Sequence, residues 1–166
     1  AEALNYLDVS DEDIVVDVQG DEPLIYLETN DTLVSNFKLS SFDIMLPYIE
    51  INDTNNVNIV KISTVGKKII YMSRMDIPCP FSQDRKLKKH LSIIAFTVSA
   101  LRKYSHMKKS ELEKIESIEL LRALESGLEI GTFQESKESF SVDVIEDYHR
   151  ANRYMRDDKV YKRYRL

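Results

Sequence analysis

Two acidic segments, well separated in the chain, carry the residue types that charge-neutralising chemistry needs. The first is Gln19-Gly20-Asp21-Glu22-Pro23, directly after the β-branched run Ile14-Val15-Val16-Asp17-Val18. In open α/β sheets ligands sit beyond the carboxyl ends of strands, which is where such a turn lies. Gly20 lets the backbone approach a ligand closely, and Asp21 offers a hard oxygen of the kind Mg²⁺ prefers. An acidic turn whose Asp and Gly serve only backbone geometry has the same spacing. The second segment is Ser141-Val142-Asp143-Val144-Ile145-Glu146-Asp147. Asp143 with Glu146 three residues later, ahead of an amphipathic run, is an N-cap pattern. A carboxylate at a helix start can also face a metal. Asp21 with Asp143 would then make a minimal Mg²⁺ site with positions left for phosphate oxygens and water.

Other residues read two ways. Arg74, after Tyr71-Met72-Ser73, is either a surface charge or an anion clamp, because its planar fork matches carboxylates and phosphates. His90 stands at the entrance to the apolar run Leu91–Thr97, where a histidine is ordinarily a satisfied structural residue. Glu111, Glu113, Glu116 and Glu119 alternate with Lys114 and Arg122, the pattern of a solvated helix face. The closing Lys159-Val160-Tyr161-Lys162-Arg163-Tyr164-Arg165-Leu166 is basic and aromatic. On an acidic chain such a tail packs on its own domain or a partner subunit more readily than on nucleic acid.

The elements that must position these residues belong to one domain, the size that 166 residues suit. Residues 1–156 form that domain and 157–166 a basic tail. A net charge of −5 excludes blanket attraction to nucleic acid or anionic membrane. No apolar run reaches the ~18 residues a membrane span needs. The one cysteine, Cys79, cannot build an internal disulfide or a zinc cage, so a cytoplasmic setting is expected. Strands are expected at Ile14–Val18, Asp43–Ile51, Leu91–Thr97 and Leu128–Gln134, with a hairpin about Val65-Gly66-Lys67. Helices are expected from about Tyr26 to Leu39, from Lys109 to Glu125 ending at Gly127, and from Val144 to about Arg156. Strands alternating with helices predict an α/β fold: a mixed, mostly parallel twisted sheet with helices on both faces.

In order along the chain, DIVVDVQGDEPLI (13–25), NVNIVKI…IIYMSRMDIP (56–78), KHLSIIAF (89–96), SELEKIESIELLRALESG (110–127) and SVDVIEDY (141–148) resemble the 3-deoxy-manno-octulosonate cytidylyltransferase (CMP-KDO synthetase) family. The resemblance implies a fold of the nucleotide-diphospho-sugar transferase type. It also implies transfer of CMP from CTP to the anomeric hydroxyl of a 2-keto-3-deoxy sugar acid, with release of pyrophosphate. It further implies a cytoplasmic homodimer serving surface polysaccharide synthesis. Asp21 and Asp143 would be the catalytic Mg²⁺ ligands, and Gln19, Arg74, His90 and Glu119 would contact the sugar acid. Arg74 is the best placed to meet the acid's negative charge.

The sequence also departs from the family. Ile94 stands where the family has tyrosine, Leu120 where it has glutamine, and Cys79 and Phe81 where it has tryptophan and arginine. Losing hydrogen-bond partners this way points to a keto-sugar acid less hydroxylated than KDO, or one with an amino or deoxy group. The family's basic, proline- and glycine-bearing loop that holds CTP has no counterpart here. The chain therefore reads as the family's domain without its nucleotide-binding part, incomplete at the N-terminus and unable to bind CTP alone. A non-catalytic binding module and a transferase for a sialic-acid-like sugar are the competing readings.

Overall fold

The structure, a computed structural model, describes residues 1–52, 55–79, 81, 86–137, 139–142 and 144–164. A short 3-10 turn (Glu2–Tyr6) precedes β1 (Ile14–Val18), α1 (Leu27–Lys38) and β2 (Ile44–Ile51). The hairpin β3 (Lys61–Val65) and β4 (Lys68–Ser73) follows, then β5 (Leu87–His90), β6 (Ile93–Thr97) and α2 (Val98–His106). The chain continues through α3 (Glu111–Glu116), α4 (Leu120–Glu125), β7 (Ile130–Gln134), α5 (Ile145–Met155) and α6 (Lys159–Tyr164).

These strands form one sheet in the order β1-β6-β2-β5-β3-β4-β7, closed by a further pairing of β2 with β7. The expected mostly parallel sheet is not what forms. Among the described residues only β2 and β7 pair in parallel; every other pairing is antiparallel. The reason lies in the strand order. The β1-α1-β2 crossover does bring β1 and β2 to run the same way, since both lie antiparallel to β6. Strand β6 is inserted between them, so their common direction never becomes a parallel pair. Short connections do the rest: β3 turns into β4 at Gly66, whose φ of 58° suits a tight hairpin.

Side chains alternate across this sheet and make two cores. Ile44, Leu46, Ile94 and Phe96 point to one face, where Ile118, Leu120, Leu121 and Ala123 cover them. Met45, Ile49, Ile93 and Ala95 point to the other, covered by Leu33 and Phe37 of α1. Strands buried on both faces read as continuous apolar runs, which is why these were visible in the sequence.

The single helix expected over Lys109–Glu125 is broken. Ser117 takes a left-handed conformation (φ 55°) and ends α3, and α4 restarts at Leu120. The three-residue recurrence of Leu112, Ile115, Ile118, Leu121 and Leu124 fits either form. The packed result leaves Ile115 exposed while Ile118 and Leu121 are buried.

At the end of β4 the ammonium of Lys61 is wholly buried. It donates to the carbonyl oxygens of Asn56 and Ile59, each at 2.8 Å, and to that of Arg74, and pairs with Asp76 at 3.2 Å. Breaking a buried ion pair from one side leaves polar groups dry and unmatched. Lys61→Met is therefore expected to lower unfolding free energy by about 3 kcal/mol, measured by urea denaturation at neutral pH.

Candidate active site

The carboxyl end of β1 and the gap between β5 and β6 border one cavity of about 550 Å³. Strands β5 and β6 run along the same edge of β2 and are interrupted at Leu91-Ser92. Into that interruption the β1 end docks, with Gln19 N–H donating to the Ser92 carbonyl at 3.4 Å. Gln19, Asp21, Arg74, His90 and Glu119 all line the cavity. They come from the turn after β1, the residue after β4, the last residue of β5 and the α3–α4 break. Asp143 lies outside the described residues. The Val142 N–H beside it in sequence donates to the Asp21 carbonyl at 2.9 Å, and Val144 borders the cavity.

Glu22 joins these segments. It is 4% exposed, and its carboxylate accepts from Ser92 N–H at 3.3 Å and from the hydroxyls of Ser139 and Ser141. One buried acid thus ties the QGDEP turn, the β5–β6 gap and the segment before α5. A buried carboxylate demands such donors, so it is satisfied only when all three segments are assembled.

Arg74 is held by backbone carbonyls rather than by acids. Nε donates to Glu116 O at 2.8 Å, Nη2 to Ser117 O at 3.0 Å and Nη1 to Val57 O at 2.9 Å. Among the described residues no carboxylate side chain touches its fork, so its positive charge is not neutralised in contact. The Glu116 carboxylate instead accepts from the Arg74 peptide N–H at 3.0 Å, Ser73 Oγ at 2.7 Å and Tyr71 Oη at 3.3 Å. Burial pushes this carboxyl up, but the bonds from Arg74, Ser73 and Tyr71 outweigh it and hold the pKa below the usual carboxylate range.

For a divalent cation the residues present are suitable. Asp17 and Asp21 both border the cavity from the β1 end, and neither side chain takes a hydrogen bond or ion pair among the described residues. No cluster of three or more metal-binding side chains exists among the described residues. Mg²⁺ does not require one, because it binds through one or two carboxylates plus substrate oxygens and water. Asp17 reads in the sequence only as one member of the β-branched run Ile14–Val18. Its signal was there, since alternation along β1 sends one side chain in two to each face. Glu116 was missed because its pattern was that of a solvated helix face.

Part of the remaining lining is apolar, with Ile94, Phe96, Ile118 and Leu120 each only 5–6% exposed, beside the polar Asn58, Ser92, Tyr104, Ser117 and Ser141. Two of the four departures noted in the sequence, Ile94 and Leu120, thus face the site, whereas Cys79 and Phe81 are exposed outside it.

His90 Nδ1 lies 3.2 Å from the Leu91 carbonyl, to which it can only donate, leaving Nε2 as an acceptor. Removal from water lowers the ring's pKa below the ordinary histidine range, against the opposing pull of the Leu91 bond and the Glu22 charge. A histidine with a depressed folded pKa takes up its proton later than the unfolded chain does. Its contribution to stability is accordingly lost as pH falls below about 6.5. Wild type should lose more stability between pH 7 and pH 5.5 than His90→Gln, in paired urea titrations. The His90 ring signals should titrate at lower pH than in the urea-unfolded chain.

Known proteins share this arrangement of elements. The family model described as "Cytidylyltransferase" matches residues 1–130. The 3-deoxy-manno-octulosonate cytidylyltransferase of a Nitratiruptor species is 31% identical over 158 residues, covering 91% of this chain and 66% of that protein. Its counterpart from Syntrophobacter fumaroxidans is 32% identical over 170 residues, covering 96% and 67%. A solved CMP:2-keto-3-deoxy-manno-octonic acid synthetase complexed with CTP superposes with a TM-score of 0.86 at 26% identity, over 93% of this chain and 65% of that one. The chain spans about two thirds of the length of the relatives it matches.

These matches correct one expectation, that the sequence is the family's domain without its nucleotide-binding part. The family model is matched from residue 1 onward, and the CTP-complexed structure corresponds to nearly the whole of this chain. Agreement in sequence over residues 1–130 and in fold over 93% of its length makes the chain a member of the cytidylyltransferase family.

Proposed function

We propose that this cavity transfers CMP from CTP to the anomeric hydroxyl of a 2-keto-3-deoxy sugar acid and releases pyrophosphate. The observation that carries the reading is the convergence of Gln19, Asp21, Arg74, His90 and Glu119, from four parts of the chain, on one cavity. Relatives named as 3-deoxy-manno-octulosonate cytidylyltransferases support the acceptor class. In such a transfer the hydroxyl oxygen bonds to the α-phosphorus as the bond to the pyrophosphate oxygen breaks. The protein's part is positioning and charge neutralisation.

Asp21, with Asp143, is the proposed holder of Mg²⁺, which when bound would offset charge on the phosphates. Arg74 keeps one N–H on each terminal nitrogen beyond its three carbonyl bonds, enough to receive a carboxylate. The neutral His90 ring presents a lone pair at Nε2 to a sugar hydroxyl, and Gln19 and Glu119 supply further polar contacts. A homodimeric, cytoplasmic enzyme of surface polysaccharide synthesis belongs to the same reading. No helix among the described residues is long and apolar enough to cross a membrane. Sedimentation tests the dimer.

The apolar wall of Ile94, Phe96, Ile118 and Leu120 favours an acid with fewer hydroxyls than KDO on the side that meets it. Each hydroxyl left dry there costs roughly 1–3 kcal/mol, or about five- to 150-fold in kcat/KM. Pyrophosphate release from CTP and Mg²⁺ should be faster with a deoxy or amino-deoxy analogue than with KDO; KDO as the best substrate of the panel would refute this preference. Asp21→Asn should cut the rate by about a hundredfold or more, because an amide is the poorer Mg²⁺ ligand. An unchanged rate would remove Asp21 from the metal site.

A further inference from the structure

Arg74 and Glu116 hold each other through bonds in both directions. The Glu116 carboxylate takes the Arg74 peptide N–H, and the Glu116 carbonyl takes Arg74 Nε. Ser73 and Tyr71, on the strand that delivers Arg74, donate to the same carboxylate. The next carbonyl, that of the left-handed Ser117, takes Nη2. A guanidinium on a long stem ordinarily loses rotamer freedom when it binds an anion. Here its plane is set before any ligand arrives, with no carboxylate side chain in contact with its fork among the described residues. The same contacts tie the α3–α4 break to the end of β4. That break carries Ser117, Ile118, Glu119 and Leu120 into the cavity wall.

We infer that Glu116 is a positioning residue for acid recognition: it orients the Arg74 fork and the 117–120 wall without itself lining the cavity. This rests on the proposed role of Arg74 in receiving the acid's carboxylate. It adds a residue whose helical context marks it as solvent-facing.

The test uses the protein with Glu116→Ala, Glu116→Gln and Arg74→Ala. KDO and its mono-deoxy analogues are titrated calorimetrically without CTP, and steady-state KM values are measured for acid and CTP. Arg74→Ala should abolish measurable acid binding. Glu116→Ala should weaken acid binding about tenfold and raise the acid's KM in step, with the KM for CTP within about twofold of wild type. Glu116→Gln keeps an acceptor for the Arg74 N–H and should recover most of the affinity. Should Glu116→Ala not fold, the Tyr71→Phe, Ser73→Ala double variant strips two donors from the same carboxylate and should give a smaller loss in the same direction. Acid affinity unchanged in the Glu116 variants but lost in Arg74→Ala would overturn this inference alone. Affinity unchanged in Arg74→Ala, or absent in wild type, would overturn the role of Arg74 and this inference with it. Equal loss of acid and CTP affinity would reduce Glu116 to a general structural residue.

Discussion

A buried ammonium governs where the cavity begins. Lys61 has no exposed side-chain surface, yet it carries a full charge at the base of the β3–β4 hairpin. Such a charge is tolerable only if its donors are matched, and three carbonyls and Asp76 match them. One of those carbonyls belongs to Arg74, so the backbone at the end of β4 is pinned from one side by Lys61. From the other side the Glu116 carboxylate pins the Arg74 peptide N–H. Between these two charges the chain has little freedom, and the guanidinium that emerges there has a defined direction.

The opposite side of the cavity is organised by the same principle with the sign reversed. Glu22 is a buried acid, and its partners are neutral donors from two distant segments, Ser92 and the Ser139–Ser141 stretch. A carboxylate surrounded by hydroxyl and peptide donors holds backbone in place without cancelling charge on its neighbours. Asp17 and Asp21 make no ion pair with a protein cation among the described residues. The cavity thus combines fixed backbone with the Arg74 guanidinium, whose fork contacts no carboxylate side chain among the described residues.

The fold departs from a parallel α/β sheet for a reason that also makes the site. If β1 and β2 paired directly, the carboxyl end of β1 would lie against β2. Inserting β6 antiparallel between them, and breaking the β5–β6 edge at Leu91-Ser92, opens a gap at the same level. His90 sits on one lip of that gap and Ser92 on the other, with the QGDEP turn docked into it.

Local pattern by itself determined most of the strands and helices, because burial on both faces forces continuous apolar runs and caps mark helix ends, but not the short β5, the break at Leu91-Ser92 or α6 within the basic tail. It raised Asp21, Arg74 and His90 as candidates, each beside an ordinary structural reading, whereas Gln19 and Glu119 came forward only through the family resemblance. It could not determine strand direction, since a crossover helix sets the sense of β1 and β2 but not what lies between them. Nor could it find the α3–α4 break at Ser117, because a three-residue apolar spacing satisfies one long helix and two short ones alike. Tertiary structure decided the roles of Lys61, Glu22 and Glu116. A charged side chain is solvated by default, and only the three-dimensional packing of distant segments withdraws that water and supplies the partners that take its place.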